Sequence, residues 1–281
     1  MEEIITIYEP DNSLKKGYLA IFREIFIELK QNRWLTYQLF KRDFLSAYKQ
    51  SFIGILWAMV LPLVSIGIFI VLNRSGVLNI GDIGAPYSIY ALLGIAFWQF
   101  FSNGLVACSN SLVNAGPMIL KINFSKKSLV IAAAAKAIVP FIIQIIIVSV
   151  LFVGYGMTPS IAGLLIPVFM IPLILFTIGL GFFASLVNGV IRDFGNIISI
   201  LLTFMMFFTP VLYGKPRIGI LATLTKYNPL YYLVSVPRNL VLKGVILEWE
   251  GFLIVCLISV ILFLGCLYAF HLTEARVAER I

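Results

Sequence analysis

Charge is scarce in this sequence. Asp, Glu, Lys and Arg together make up 12% of 281 residues, about half the share found in a soluble globular domain. Histidine occurs once, as His271, and cysteine three times, as Cys108, Cys256 and Cys266. An odd number of cysteines, all inside or at the edge of apolar runs, argues against a disulfide framework. One histidine and three scattered cysteines match no metal-ligand spacing, so no bound metal is expected. The G-x-x-x-x-G-K-[ST] phosphate loop is missing. Gly214-Lys215-Pro216 is the nearest fragment, and it lacks the other glycines and the hydroxyl. The chain is therefore expected to bind no nucleotide itself. Among loop carboxylates, Asp82, Asp193, Glu248 and Glu250, only the last two form a close pair. That pair reads as a solvated helix end rather than a catalytic dyad, which argues against a glycosyltransferase.

Hydrophobe is what the chain has, at 60% of its residues. No globular core absorbs that share, whereas a bilayer does. A run of about 20 apolar residues crosses the hydrocarbon core as a helix. Six such runs stand out, at 52–72, 87–107, 129–153, 161–187, 197–213 and 252–270. The fifth is short and ends at Thr209-Pro210. The fourth contains Pro167 and Pro172, which predict kinks. The net charge of +8 needs no nucleic acid, because the basic residues lie beside the ends of the runs. With the N-terminus inside, 15 of 21 Lys and Arg fall on one side of the membrane. The positive-inside rule then predicts that both termini are cytoplasmic. The first forty residues are charged and amphipathic, and no cleavable signal peptide is expected.

Ionisable residues are almost absent from the runs. Lys136 is the exception, close enough to the inner face to snorkel. Ion-coupled transport needs intramembrane carboxylates or a histidine relay. Without them, energy has to come from a separate ATPase subunit. Gln99, Asn103 and Gln144 are polar residues within the runs. They read as helix–helix hydrogen bonding or as a lining for a polar substrate. The aromatics Tyr87, Tyr90, Phe97, Trp98, Phe100 and Phe101 cluster on the second run, and Tyr213, Tyr227, Tyr231 and Tyr232 near the outer end. They form either an interfacial belt or a ladder of rings on which sugars slide.

Two amphipathic helices are predicted before the first run. Over 18–30, Tyr18, Leu19, Ile21, Phe22, Ile25, Phe26 and Leu29 share one arc. Over 34–50 the arc holds Trp34, Tyr37, Phe40, Phe44, Leu45 and Tyr48, with Lys41 intruding. Such helices lie in the membrane interface, as an anchor or as a gate beside a pore mouth. The segment 110–128 is too polar to span and too apolar for a solvated linker. The loop 214–250 carries short apolar stretches that predict short, re-entrant-like helices.

A family resemblance rests on specific residues. Leu39-Phe40-Lys41-Arg42-Asp43-Phe44, Tyr48-Lys49-Gln50-Ser51, Gly54-Ile55-Leu56-Trp57-Ala58 and Leu61-Pro62-Leu63 resemble the start of the first span in polysaccharide ABC-exporter permeases. These are type-2 ABC transporter subunits that export O-antigen, teichoic acid or capsular chains. Leu93-Gly94-Ile95-Ala96-Phe97-Trp98, Asn110-Ser111-Leu112 with Ile119-Leu120-Lys121, Arg192-Asp193, Thr209-Pro210-Val211-Leu212-Tyr213, Asn228-Pro229-Leu230 and the tail from Glu274 to Glu279 follow in the family's order. Where the family usually has proline after the aromatic of the coupling segment, Phe124 is followed by Ser125.

The resemblance implies an all-α integral membrane protein of six transmembrane helices. Residues 1–50 would be a cytoplasmic segment with gate helices, 51–271 the transmembrane domain and 272–281 a tail. It implies a homodimer with two nucleotide-binding ATPase subunits, which would hold ATP and Mg, in a bacterial inner membrane. The substrate would be a lipid-linked polysaccharide, with O-antigen the leading reading. Capsule, teichoic acid and small-molecule efflux are alternatives within the class. ATPase coupling would fall to Pro117, Met118, Ile119, Leu120, Lys121, Asn123, Phe124 and Ser125. Lys41, Arg42, Asp43, Tyr48, Lys49 and Gln50 would form the inner entrance, and Tyr87, Tyr90, Phe97, Trp98 and Phe101 the substrate path. The outer gate would be Pro210, Tyr213, Asn228, Pro229, Tyr231 and Tyr232. No catalytic residue is implied.

Overall fold

A computed structural model describes residues 18–49, 57, 60, 63–64, 67–68, 70–71, 75, 84–119, 124–216 and 218–278. Every secondary-structure element among them is helical. The chain opens with α1 (Tyr18–Gln31) and α2 (Arg33–Lys49). They meet at Asn32, whose amide donates to the Glu28 carbonyl at 2.9 Å. Ile21 and Ile25, four apart on α1, are buried, while Phe26 and Ile27 are exposed. Among the described side chains of α2 the buried one is Leu39, which lies outside the expected apolar arc; Trp34, Tyr37 and Leu45 of that arc are exposed. The docking partner decides this. Helix α2 packs on α6 and turns its larger apolar face outward, the orientation of a helix lying in a membrane surface.

Most of the first run lies outside the described residues. Its described positions, 57, 60, 63, 64, 67, 68, 70 and 71, are helical. Helix α3 (Tyr87–Ser109) follows Pro86 and spans roughly 35 Å at 1.5 Å per residue. It is the axis of the chain and touches the third, fourth and fifth runs and the late loop helix. Two short helices follow, α4 (Ser111–Asn114) and α5 (Gly116–Ile119).

The third run is split into α6 (Lys126–Ala135) and α7 (Ile138–Gly154). Pro140 explains the break, since its ring would clash with the carbonyl of Lys136, four residues back. In the fourth run the prolines act as helix starters rather than kinks. A 3-10 turn (Ile161–Leu165) leads to α8 (Ile166–Phe169) and α9 (Ile171–Val190), and Pro167 and Pro172 each occupy a first turn. Helix α10 (Phe194–Phe208) is followed by a turn at 209–213, so the fifth run is helical only up to Phe208. The late loop contains α11 (Ile220–Tyr227) and α12 (Pro229–Lys243). Asn228 accepts from the Leu230 amide as the N-cap of α12, with Pro229 in its first turn, and Gly244 closes it in a left-handed conformation. Helix α13 (Trp249–Ala278) completes the fold.

Among the described residues four helical stretches are long and apolar enough to cross a membrane: Tyr87–Ser109, Lys126–Gly154, Ile161–Val190 and Trp249–Glu274. Helix α10, with 15 residues, is a shorter apolar helix. Their outward faces confirm lipid as the solvent. On α7, Ile138, Ile142, Ile146, Val150 and Val153 form an exposed stripe at three- to four-residue spacing. On α13, Leu253, Ile254, Leu257, Ile261 and Leu264 do the same. In water such faces would be a large liability, whereas lipid suits them, and a helix bonds its interior backbone polar groups to one another. Small residues bring the helices together. A Cβ at Gly179 would come within 2.9 Å of the Phe263 Cα, so α9 and α13 cross almost backbone to backbone.

Candidate functional site

The side chains that are chemically out of place in such a protein lie at the two ends of the bundle. At the end carrying α5, Lys127 is fully buried, with 0% of its side chain exposed. It sits in the first turn of α6. Its ammonium contacts Glu28 of α1 at 2.9 Å and also pairs with Glu274 of α13. His271, one turn before Glu274, lies 3.5 Å from the same carboxylate. A single buried cation thus ties the first, third and last parts of the chain together. Around it, Ile21, Ile25, Leu39, Leu112, Phe182 and Phe270 form an apolar cluster separate from the main core. Among the described residues Glu28, His271 and Glu274 are the group that could hold a metal, with ligand atoms within 4.8 Å. Lys127 already bridges the two carboxylates and supplies the positive charge that a metal would bring.

Burial pulls the Glu28 carboxyl upward, but the charge of Lys127 and its hydrogen bond, with a smaller pull from His271, outweigh it. The group is held below its ordinary value of 4.5. A depressed carboxylate stabilises the fold above its unfolded value and loses that contribution as the pH falls through the folded one. Docking of α1 is therefore expected to be intact at neutral pH and to weaken only below 4.5. Hydrogen exchange of the α1 amides against pH checks this. Glu28→Gln should remove the pH dependence; an unchanged profile in that variant would refute the assignment.

The expected entrance and coupling residues come together here. Arg42 is paired with Asp43 at 2.8 Å and donates through Nη1 to the Met118 sulfur at 3.1 Å. Asp43 also lies 3.6 Å from Lys136, at the break between α6 and α7. Helix α2 thereby holds both the short helix α5 and the start of the third span. Lys136, expected to snorkel, finds a carboxylate instead. Met118 and Phe124 are half-buried against the α5-end cluster, and Ser125 is buried. Lys41 is exposed. Leu120, Lys121, Asn123 and Gln50 lie outside the described residues, as do the side chains of Pro117, Ile119, Tyr48 and Lys49.

Asn188, which sequence reasoning missed, is the joint beneath this segment. It is buried near the end of α9, donates to the Ser109 carbonyl at 3.0 Å and to Asn110 Oδ1 at 3.1 Å, and accepts from the Gly195 amide at 2.8 Å. It connects the root of the α4–α5 segment to the first turn of α10. An Asn at the very end of an apolar run was the available signal, because such a group is buried only with its partners in place.

At the opposite end, the turn 209–213 is held from two sides. Tyr90 on α3 donates to the Tyr213 carbonyl at 3.0 Å, and Asn228 donates to Thr209 Oγ1 at 2.8 Å. Arg238, 2% exposed, donates to the carbonyls of Val211 at 2.7 Å and Pro210 at 3.1 Å. Its guanidinium carbon lies 3.8 Å from the centre of the Tyr90 ring. Gly94 makes room for this, since a Cβ there would come within 2.3 Å of the Val211 carbonyl oxygen. Of the expected outer-gate residues, Pro210, Tyr213 and Asn228 are in this clasp. Pro229 starts α12, and Tyr231 and Tyr232 pack edge to face just beyond. Sequence reasoning counted Arg238 only as a loop charge. Its position inside an amphipathic helix, between Val236 and Leu240, was the missed signal.

The expected path aromatics face a different environment. Tyr90, Phe97, Trp98 and Phe101 are buried in the chain's own core, and Tyr87 is half-buried. Phe97 meets Phe141 at 5.4 Å and Phe101 meets Phe176 at 5.9 Å. Helix α3 is surrounded by its own neighbours on the side of Tyr90, Phe97 and Phe101, while Trp98 borders a cavity. The open face of α3 carries polar groups instead. A cavity of about 440 Å³ lies between α3 and α10, lined by Trp98, Gln99, Ser102, Asn103, Ser199 and Thr203 among others. Gln99 accepts from the buried Gln144 at 2.7 Å, which fixes its orientation.

A model of the ABC-2 type transporter family matches residues 35–242. The chain is 25% identical over 261 residues to the O-antigen export system permease protein RfbA of Myxococcus xanthus, covering 90% of this chain and 98% of that one. It is 26% identical over 263 residues to a protein of the same name from Klebsiella pneumoniae, with the same coverage. A second Klebsiella pneumoniae protein of that name is 28% identical over 245 residues, 85% of this chain and 91% of its own length. The match runs from α2 almost to the end of α12 and takes in Lys127 and the whole clasp at 209–213, and this chain, a membrane-embedded permease, belongs to the ABC-2 type transporter family.

Proposed function

We propose that this chain is the transmembrane subunit of an ABC exporter that moves a lipid-linked polysaccharide, O-antigen first among the candidates, across a bacterial inner membrane. The observation that carries the cargo is the end-to-end likeness to O-antigen export permeases, 98% of the length of the relative from Myxococcus xanthus. Capsular or teichoic polymers differ from O-antigen in sugar and carrier, not in the demand on the pathway. In this reading the chain crosses the membrane six times with both termini in the cytoplasm. Two copies form the pathway, and two ATPase subunits bind ATP and Mg.

The polar face of α3 and α10, with Gln99, Ser102, Asn103, Ser199 and Thr203, would be one wall of that pathway. A sugar chain needs hydroxyl and amide partners without fixed charges that would hold it too tightly. The segment 116–125 would receive the ATPase stroke. Through Met118 and Arg42 the stroke reaches α2, and through Asn110 and Asn188 it reaches α10. The support for this route is that rigid, bonded contacts connect the segment to both helices. Lys41, Arg42 and Lys49 would meet the phosphates of the lipid carrier.

Purification of the tagged chain from its native membrane tests the reading. A nucleotide-binding subunit should co-purify and hydrolyse ATP, and deletion of the gene should remove a surface polysaccharide. Phe124→Asp should leave membrane insertion intact while ATPase association falls at least tenfold. A chain that purifies without an ATPase, from cells whose surface polysaccharide survives the deletion, would end the proposal.

A further inference from the structure

The α12 end of the bundle has a second cavity, of about 750 Å³, that the clasp at 209–213 does not use. Its volume falls within the range of small-ligand clefts, about 300–1,000 Å³. Its wall has a specific chemistry: Lys215, Lys226, Glu248 and Glu250 supply two cations and two carboxylates, and Tyr232 and Trp249 supply flat rings. The Trp249 ring is half exposed.

The lining is held in place. Tyr232 donates its hydroxyl to the Lys226 carbonyl at 2.9 Å and packs edge to face on Tyr231 at 5.0 Å. Lys215 pairs with Glu248 and lies 5.3 Å over the Tyr231 ring. Glu248 has φ of 63°, the left-handed region that non-glycine residues rarely occupy and that concentrates at functional sites. That backbone turns the chain into α13, with the Phe252 amide donating to the Glu248 carbonyl at 3.1 Å. It sets the carboxylate of Glu248 and the ring of Trp249 on the same cavity.

From this arrangement we propose that the cavity is a saccharide-binding site, in which Trp249 and Tyr232 stack on the apolar faces of sugar rings while Glu250 and Lys226 bond their hydroxyls. The chemistry selects a carbohydrate over its competitors. A lipid tail would have to desolvate four charged groups, and a phosphate would be repelled by the two carboxylates. A sugar has both an apolar face for the rings and hydroxyls that donate to carboxylates and accept from ammonium groups. The inference rests on the polysaccharide-export reading and gives it a place where the polymer is held as it leaves.

The test uses the full chain in lipid nanodiscs. The probe is the lipid-free polysaccharide released by mild acid from the surface of the source cells, with binding followed by saturation-transfer NMR. Saturable binding is expected. Trp249→Ala should weaken it at least tenfold without shifting the thermal midpoint, and Glu250→Gln should weaken it several-fold. Both residues are exposed, and the second variant keeps the test valid where the first disturbs α13. Absence of binding, or equal binding by both variants, overturns the saccharide site. A gene deletion read in parallel separates the two ideas. Loss of surface polysaccharide together with binding indifferent to Trp249 sinks the site alone. Retained surface polysaccharide sinks the export reading and the site with it.

Discussion

Lys127→Leu is expected to cost about 3–5 kcal/mol at the α5 end, the usual consequence of removing one partner from a buried ion pair. The native lysine is fully buried, and Glu28 and Glu274 are themselves only 27% and 15% exposed. Leucine would fit the apolar surroundings, but it would leave the two carboxylates facing each other without the lysine that bridges them. The strain falls on the docking of α1 and of the tail of α13. Amide exchange of both segments should rise by at least a hundredfold, and the thermal midpoint of the purified chain should fall. Adding Glu28→Gln and Glu274→Gln to Lys127→Leu should recover most of the loss, because neutral amides tolerate burial where unpaired charges do not. A triple variant no better than the single one would mean that Lys127 acts through packing, and the ion-pair account would fail.

The second large effect is expected at Arg238. Arg238→Met keeps the length of the side chain and removes its donors. The carbonyls of Pro210 and Val211 then lose their partners in a buried place, at about 1–3 kcal/mol each, and the contact with the Tyr90 ring is lost as well. The turn 209–213 should loosen, and its amides should exchange about a hundredfold faster, while α3 and α9 stay protected. Arg238→Lys should give an intermediate result, since an ammonium cannot reproduce the planar fork that serves two carbonyls and stacks on a ring. Equal protection of the turn in the methionine variant would show that Asn228 and Tyr90 hold it by themselves.

These effects bear on how a polymer could be released. A gate needs an element with two discrete arrangements, and in the proposed exporter the turn clasped by Tyr90, Arg238 and Asn228 would supply it. Its three anchors come from α3, from α12 and from the cap of α12. Any movement of α3 against α12 therefore acts on the turn. Helix α3 is also the helix whose far end is joined through Asn110 and Asn188 to the segment near α5. In the proposed exporter, that helix connects the end where the ATPase would act to the end where the polymer would leave.

Much of this architecture was legible in the amino-acid order alone. Apolar runs near 20 residues predicted where α3, α9 and α13 lie, because only a helix satisfies its own backbone in lipid. The sequence Asn228-Pro229 marks the start of α12 through its capping chemistry, and Gly244 marks the end. Those signals are local, and local geometry decides them. Other features depended on what packs against what. The third run bends at 136–137, ahead of Pro140, where Lys136 meets Asp43 of α2. The aromatics of α3 read as an interfacial belt or as a ladder for sugars, and the packing of Phe97 on Phe141 and of Phe101 on Phe176 depends on other helices. Leu39 is buried because α2 docks on α6, which periodicity within α2 does not encode.

The buried charges mark the boundary most clearly. Lys127 and Arg238 look in sequence like topology signals at the ends of spans, identical in kind to Lys126 or Lys243. Only the tertiary structure gives Lys127 two carboxylates from 99 and 147 residues away, and gives Arg238 two carbonyls 27 and 28 residues before it. The sequence by itself determined the solvent, the helical class and the approximate helix limits, since those follow from composition and short-range periodicity. Which polar groups hold the ends of the bundle together was decided by long-range pairing, because the free energy of a buried charge depends on partners that no local window contains.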